Sequence, residues 1–227
     1  MNGRERLIAA AGGMAVDRKP IIAWPMPNSD SDAYVTCSHE PGACPDGALK
    51  LAAVANPFGQ ALKAGVDIRS AFEEDPVEGA TILDGLVALT EAEVQFALKH
   101  GFDGVFYLVY GARAGHTTPM EYGGHYLERD REILSGIAGA QFNLVFVLGG
   151  EDAYLDFVSD LPAHAFGWDS VASGVSVAQI RAMRPGLLAT NSPDADIELR
   201  FGLADVAEHL ESEIQNPKSQ IPVAHAL

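Results

Sequence analysis

Apolar residues along this chain gather in short, near-continuous runs, and each run stops at Gly, Asn, Asp or Pro. The clearest runs cover residues 20–26, 33–37, 49–55, 104–110, 143–148 and 163–168, and two weaker ones cover 186–190 and 221–225. Runs that are apolar throughout, without alternation, are the pattern of strands in a parallel sheet covered on both faces. Between them the periodicity predicts amphipathic helices over 90–100, 121–138, 152–159, 176–183 and 203–215. The first of these opens on Thr90 with Glu93 three residues later, close to a capping box. In the second half the order is strand, helix, strand, helix, the signature of βαβ units. Eight candidate strands favour a closed α/β barrel, a (β/α)8 TIM-type barrel in compact or partly reduced form, over an open sheet. No Gly-x-Gly-x-x-Gly follows any run, so a dinucleotide fold has no support. Residues 27–32 alone separate the first two runs, fewer than the dozen or so that a parallel crossover uses. That predicts an irregular connection or a misassigned strand.

The length of 227 residues suits one barrel domain spanning 1–227. Fifteen Lys and Arg stand against 31 Asp and Glu, a formal net charge of −16. Such a surface repels phosphate backbones and anionic headgroups, which argues against nucleic-acid and membrane-surface partners. No apolar stretch is long enough to cross a bilayer, and the mixed-charge start does not read as a signal peptide. The cytoplasm is the expected location, with Cys37 and Cys44 as thiols.

Several segments, in order, resemble the uroporphyrinogen decarboxylase superfamily, which also holds the corrinoid-linked methyltransferases. Asn2-Gly-Arg-Glu-Arg-Leu-Ile-Ala-Ala10 followed by Asp17-Arg-Lys-Pro-Ile-Ile22 is similar to the family's opening helix and first strand. Asn56-Pro-Phe-Gly-Gln-Ala61 resembles its Gly-Pro-Phe-Thr-x-Ala segment, and His100-Gly-Phe-Asp-Gly-Val-Phe-Tyr107 its fourth strand. Thr118-Pro-Met-Glu-Tyr122 with Tyr126 resembles the next helix. Ala165-Phe-Gly-Trp-Asp169 resembles the end of the sixth strand, and Leu188-Ala-Thr-Asn-Ser-Pro193 the Gly-Asn-x-Asp-Pro turn. The resemblance implies a TIM-type barrel and a tetrapyrrole, corrinoid or carboxylated ligand.

Two departures bear on activity. In the decarboxylases an Arg-Gln-Ala-Gly-Arg stretch follows the first strand, and its planar guanidinium forks hold substrate carboxylates. Here the place reads Trp24-Pro-Met-Pro-Asn-Ser-Asp30, without arginine, which argues against uroporphyrinogen decarboxylation. The methyltransferases bind zinc partly through a His-x-Cys at the fifth strand's end. Here that place reads Phe146-Val-Leu-Gly-Gly150, so zinc-thiol methyl transfer loses its ligands.

In a barrel of this kind, chemistry sits where strands end. Cys37-Ser-His39-Glu-Pro-Gly-Ala-Cys44 gathers two thiols, an imidazole and the Glu40 carboxylate after the second run, but its spacing matches no zinc pattern. It therefore reads as a Pro-Gly turn, and no metal site is assigned. The fourth run holds Tyr107 and ends on Tyr110; Arg113 and His116 follow it, and Tyr122 and His125 open the next helix. Arg113 suits a carboxylate or phosphate, and His116 an acid or base near neutral pH. Asp169, after the sixth run, reads equally as a general base or as an N-cap. Glu151 and Asp152 read as acids complementing a helix start, and Glu73-Glu-Asp75 as a solvated loop. His225 ends the last run.

The candidate catalytic set is thus His116, Asp169 and Tyr110, and the candidate substrate-binding set is Arg113, Tyr107, His39, Glu40 and Asn56. Two functions fit these residues, and no particular cofactor is singled out. One is action on, or binding of, a small carboxylated molecule, as a decarboxylase-like lyase or a methyltransferase. The other is a non-catalytic tetrapyrrole- or corrinoid-binding or methyl-transfer accessory protein, working with a corrinoid protein or as a homo-oligomer. An enclosed pocket holding a perturbed histidine or carboxylate would favour the first; a shallow site would favour the second.

Overall fold

The computed structural model describes residues 1–24, 30–37 and 44–207. Eight parallel strands close into a barrel in sequence order: β1 (Ile21–Ala23), β2 (Ala33–Cys37), β3 (Leu49–Ala55), β4 (Gly104–Val109), β5 (Leu144–Val147), β6 (Ala165–Trp168), β7 (Leu187–Thr190) and β8 (Ile197–Leu199). The ring closes where Ile22 of β1 stands beside Leu199 of β8. The expected fold class is therefore the observed one. The eighth strand, however, is Ile197–Leu199, and not the run at 221–225, which lies outside the described residues.

Helices cover the barrel unevenly. After β3 come α2 (Pro57–Ala64), α3 (Ile68–Glu74) and the long α4 (Pro76–Lys99). After β4 come α5 (Pro119–His125) and α6 (Leu127–Gly136), after β5 the short α7 (Leu155–Val158), and after β6 α8 (Ser170–Ser173) and α9 (Val177–Arg181). The chain is helical again over 203–207. Residues 24–32 join β1 to β2, and 191–196 join β7 to β8, both too short for a crossover helix, so the barrel is partly reduced. Its parallel pairing holds regardless, with Ile22 beside Ala33 and Ala189 beside Ile197.

Local details differ from the sequence expectation for identifiable reasons. Thr90 is buried in the middle of α4, where its hydroxyl bonds back to the Leu86 carbonyl at 3.0 Å. The helix begins earlier because Asp75 caps the Val77 and Glu78 amides and Pro76 fits the first turn. Glu73 and Glu74 thus end α3 instead of lying in a loop. The helix expected over 121–138 is two helices meeting at Tyr126.

The short α1 (Gly3–Ala11) lies across the N-terminal ends of the strands. Arg4 pairs with Asp103, just before β4, and Arg6 pairs with Asp32, just before β2. Asp32 is 1% exposed and also accepts from Arg18 and from the Ile21 amide at 2.8 Å. This charge cluster closes the barrel's base.

Neighbouring residues in a parallel ladder share a face, so the registers assign the interior. Ile22, Val35, Leu51, Ala53, Phe106, Leu108, Leu144, Phe146, Gly167, Ala189 and Leu199 turn inward. Val105, Tyr107 and Val109 turn out toward the helices.

Candidate functional site

Four rings pack together in the upper interior of the barrel. Phe106 lies 5.2 Å from Trp24, 5.5 Å from Phe146 and 5.6 Å from Phe201, centroid to centroid. Phe201 also touches Phe146 at 5.7 Å. Trp24 immediately follows β1 and Phe201 follows β8, so the plug is built from the ends of both closing strands. Gly167 makes room for it, since a β-carbon there would stand 3.1 Å from both Leu144 and Phe146. Among the described strand residues that face inward, all are apolar except Cys37, which the register places beside Ala53. Apart from that cysteine, the described strands offer a substrate no polar side chain inside the barrel, which favours a ligand position above the rings, on the rim.

On the rim, the loops after β4 and β5 are stitched together. Arg113 and Ala153 form an isolated antiparallel bridge, Ala114 N–H donates to the Asp152 carbonyl at 3.1 Å, and Tyr154 N–H donates to the Ala112 carbonyl at 2.9 Å. The Arg113 Nε donates to Asp152 Oδ2 at 3.0 Å, with each side chain about a third exposed. Burial pushes the Asp152 carboxyl up, but the Arg113 hydrogen bond and charge outweigh it and hold the group below its ordinary range. Asp152 precedes α7 and is the partner of Arg113, not a helix-start residue.

Gly111 sets the direction of this loop. Its φ is 87°, and a β-carbon would meet the Phe58 ring at 2.7 Å. Thr117 then folds the loop back, its hydroxyl donating to the Gly111 carbonyl at 2.7 Å. His116 lands on Phe58, ring on ring at 5.3 Å. Among the described residues its Nδ1 is buried with no hydrogen-bond partner. Burial and the nearby Arg113 charge lower its pKa, against a smaller opposing pull from Asp152, so the ring is neutral at pH 7.

The structure thus brings Arg113 and His116 onto one rim loop and sends the other candidates elsewhere. Tyr107 points out of the barrel, where its hydroxyl donates to Asp130 at 2.8 Å. Asn56 is fully buried and caps α2, its Oδ1 accepting from the Gly59 and Tyr110 amides at 3.0 and 3.1 Å. The Tyr110 side chain is buried against α2, its ring 2.5 Å from where a β-carbon on Gly59 would stand. Asp169 is the N-cap of α8: Oδ1 accepts from Val171 N–H, Ala172 N–H and Asn191, and Oδ2 accepts from Leu203 N–H at 2.7 Å. Burial raises Asp169, yet these four donors prevail and hold it below the ordinary carboxylate range. A carboxylate so occupied is a poor general base, and no hydrogen bond or ion pair links it to Arg113 or His116. His39, Glu40 and His225 lie outside the described residues.

One buried group escaped the sequence reading altogether. Asp130 of α6 is fully buried and accepts from Tyr107, from Tyr122 in a short bond, and from Asn56 Nδ2 at 3.3 Å. Burial pushes its carboxyl up, the three donors pull it back, and it settles at about 6. It sits in the charged stretch Glu128-Arg-Asp-Arg-Glu132, which looks like a solvated face. The available signal was the four-residue spacing of Tyr122, Tyr126, Asp130 and Leu134, all buried.

Two small clefts lie on the outer wall between α3–α4 and α5–α6. One of about 190 Å³ is lined by Arg69, Phe72, Thr117, Glu121, His125 and Tyr126, and one of about 290 Å³ by Phe72, Leu83, His125 and Arg129 among others. Among the described residues, no three His, Cys, Asp or Glu side chains group so that they could hold a metal ion, and the Leu148-Gly-Gly turn after β5 supplies no ligand. The described residues do not fit a zinc-thiol centre. No helix among them is long and apolar enough to cross a membrane.

No protein-family profile matches the sequence, and no curated protein matches it. The fold is similar to that of a methyltransferase from Methanosarcina mazei, with a TM-score of 0.67 over 95% of this chain and 98% of that one. Identity is 10%, so the likeness establishes the barrel and no more.

Proposed function

We propose that this chain binds a corrinoid or related tetrapyrrole on the C-terminal rim of its barrel, as a non-catalytic accessory in methyl transfer. The observation that carries this reading is the aromatic plug of Trp24, Phe106, Phe146 and Phe201, which lies at the end of the barrel where an enzyme of this fold encloses its substrate. Of the candidate polar groups that the structure describes, Asp169, Asn56 and Tyr107 are committed to holding the fold. Among the described candidate residues, what remains on the rim is the Arg113–Asp152 ion pair and the neutral His116 imidazole. The likeness to a methyltransferase barrel supports the same direction.

The residues fit such a group in kind. A flat macrocycle has apolar faces and polar edges, and this chain carries the Trp24 and Phe201 rings after β1 and β8 and the Arg113–Asp152 pair after β4 and β5. A bound corrinoid would supply a methyl group attached to its metal. This chain's part is to hold the macrocycle: aromatic edges beneath it, and the Arg113 guanidinium for an edge carboxyl or amide.

The second reading, a small carboxylated ligand, rests on Arg113 and His116 sharing one loop. A thermal-shift panel separates the two, because a ligand that binds only the native state raises the melting temperature by mass action. Methylcobalamin or uroporphyrin should stabilise the protein, and methylcobalamin should quench the tryptophan emission less in Trp24→Phe than in the wild type. Stabilisation by small carboxylic acids alone, abolished in Arg113→Gln, would replace this proposal with the second reading.

A further inference from the structure

The Asp130 cluster joins four elements of the fold through one buried carboxylate. Tyr107 comes from β4, Tyr122 from α5, Asn56 from the turn into α2, and Asp130 itself from α6. Asn56 carries the connection onward. Its Nδ2 donates to the Tyr110 carbonyl at 3.1 Å and lies 3.3 Å from Tyr122 Oη, while its Oδ1 accepts from the Tyr110 amide. Tyr110 is the residue from which the Arg113 and His116 loop departs. We propose that Asp130, with Tyr107, Tyr122 and Asn56, is a proton-operated latch that fixes the root of the rim loop when ionised and loosens it when protonated.

The donor count explains why there are two states. The cluster holds four donor hydrogens: one on each tyrosine and two on Asn56 Nδ2. With Asp130 ionised, all four have acceptors: its two oxygens, Tyr122 Oη and the Tyr110 carbonyl. A proton on Asp130 adds a fifth donor and removes acceptor capacity. Among the described residues Tyr107 Oη has no acceptor other than Asp130, so one hydroxyl must turn away and the seam between β4 and α5 must adjust.

Among the described residues no cation moderates this group. The flanking Arg129 and Arg131 turn outward to Asp84 and Asp160, and the flanking acids Glu128 and Glu132 pair with those same arginines. From α4, Glu91 acts on Tyr107, while Glu93 is engaged by Gln60 at 2.6 Å. From the junction of α5 and α6, Tyr126 acts on Tyr122, whose hydroxyl, like that of Tyr107, is held well above its ordinary value by burial and by Asp130. Both hydroxyls therefore stay protonated donors across the range in which Asp130 titrates. The carboxyl's position at about 6 places the transition within reach of a cell.

The test uses the unliganded protein, so it does not depend on what the rim binds. Ring signals of Tyr107 and Tyr122, and exchange of the Gly59 and Tyr110 amides, are followed by NMR from pH 4.5 to 8. The expected result is one shared midpoint near 6, absent in Asp130→Asn, with amide exchange faster on the acid side. If Asp130→Asn does not fold, Tyr107→Phe and Tyr122→Phe serve instead. Each deletes a donor to the ionised form and should move the midpoint up. The proposal is overturned if the transition survives in Asp130→Asn, if neither phenylalanine variant moves it, or if the Gly59 and Tyr110 amides ignore it.

Discussion

Phe106→Ala tests whether the plug is a packed unit or a loose stack. Phe106 is fully buried and touches three other rings at 5.2, 5.5 and 5.6 Å. Truncating a buried phenylalanine to alanine costs about 3–5 kcal/mol through lost transfer energy and the cavity left behind. Ring pairs add about 0.5–1.5 kcal/mol each beyond area, and three are lost together, which places this variant in the upper part of that range. For a chain of this length each kcal/mol lowers the melting temperature by about 2–4 °C, so a fall of about 10–15 °C is expected. Phe106→Leu keeps most of the volume and should lose less than half as much. Urea denaturation followed by circular dichroism and tryptophan emission measures both. The space opened in Phe106→Ala is walled by apolar groups, and such cavities stay dry and accept benzene. Benzene should therefore raise the variant's melting temperature and leave the wild type unmoved. A loss below about 1.5 kcal/mol would refute the reasoning, because it would mean that the rings do not depend on one another.

Three further outcomes are expected. Asp32→Ala leaves the buried Ile21 amide without its side-chain acceptor and Arg6 with Asp17 as its remaining carboxylate, and should cost about 1–3 kcal/mol in urea, whereas Arg18→Ala, whose side chain is 39% exposed, should cost under about 1 kcal/mol. Asp169 is held below its ordinary value in the fold, so its stabilisation is complete above the unfolded carboxylate range near 4 and is lost as the pH falls through the lower folded value. Asp169→Asn should accordingly flatten the acid limb of a stability-against-pH curve, and an unchanged limb would show that the cap is dispensable. His116 is also depressed, so its contribution is present above about 6.5 and lost as the pH drops. An NMR titration midpoint at or above 6.5 would contradict its place against Phe58 and Arg113.

Most of the barrel was legible because strands buried on both faces write themselves as unbroken apolar runs, and seven of the runs contain a strand. The same property hid which side each residue faces. Phe106 and Tyr107 are adjacent in a run without alternation, yet one enters the plug and the other the helix layer. β8 was missed because Ile197-Glu-Leu199 is three residues long with an outward Glu198, so no run marks it. Of the site, the Arg113 and His116 loop could be read from its position after β4. The Arg113–Asp152 pair could not, since it depends on two loops meeting across the rim. Asp169 was weighed evenly between base and cap, and only its four donors show that it is engaged as a cap.

The absence of a crossover helix after β1 and after β7 has a kinetic consequence. The strands β3 to β6 each have a helix to dock against as they form, and β3 and β4 share a register running from Leu51–Gly104 to Ala55–Leu108. The join between β1 and β8 rests on Ile21–Glu198 and Ile22–Leu199 alone, between segments at opposite ends of the described chain. Pairing across so long a stretch carries the largest loop-closure entropy in the molecule and returns two residue pairs, as few as any join in the barrel. Ring closure should thus come last in folding, and that join should be where the barrel breathes first, with amide exchange at Ile22 and Arg200 outrunning exchange along β4.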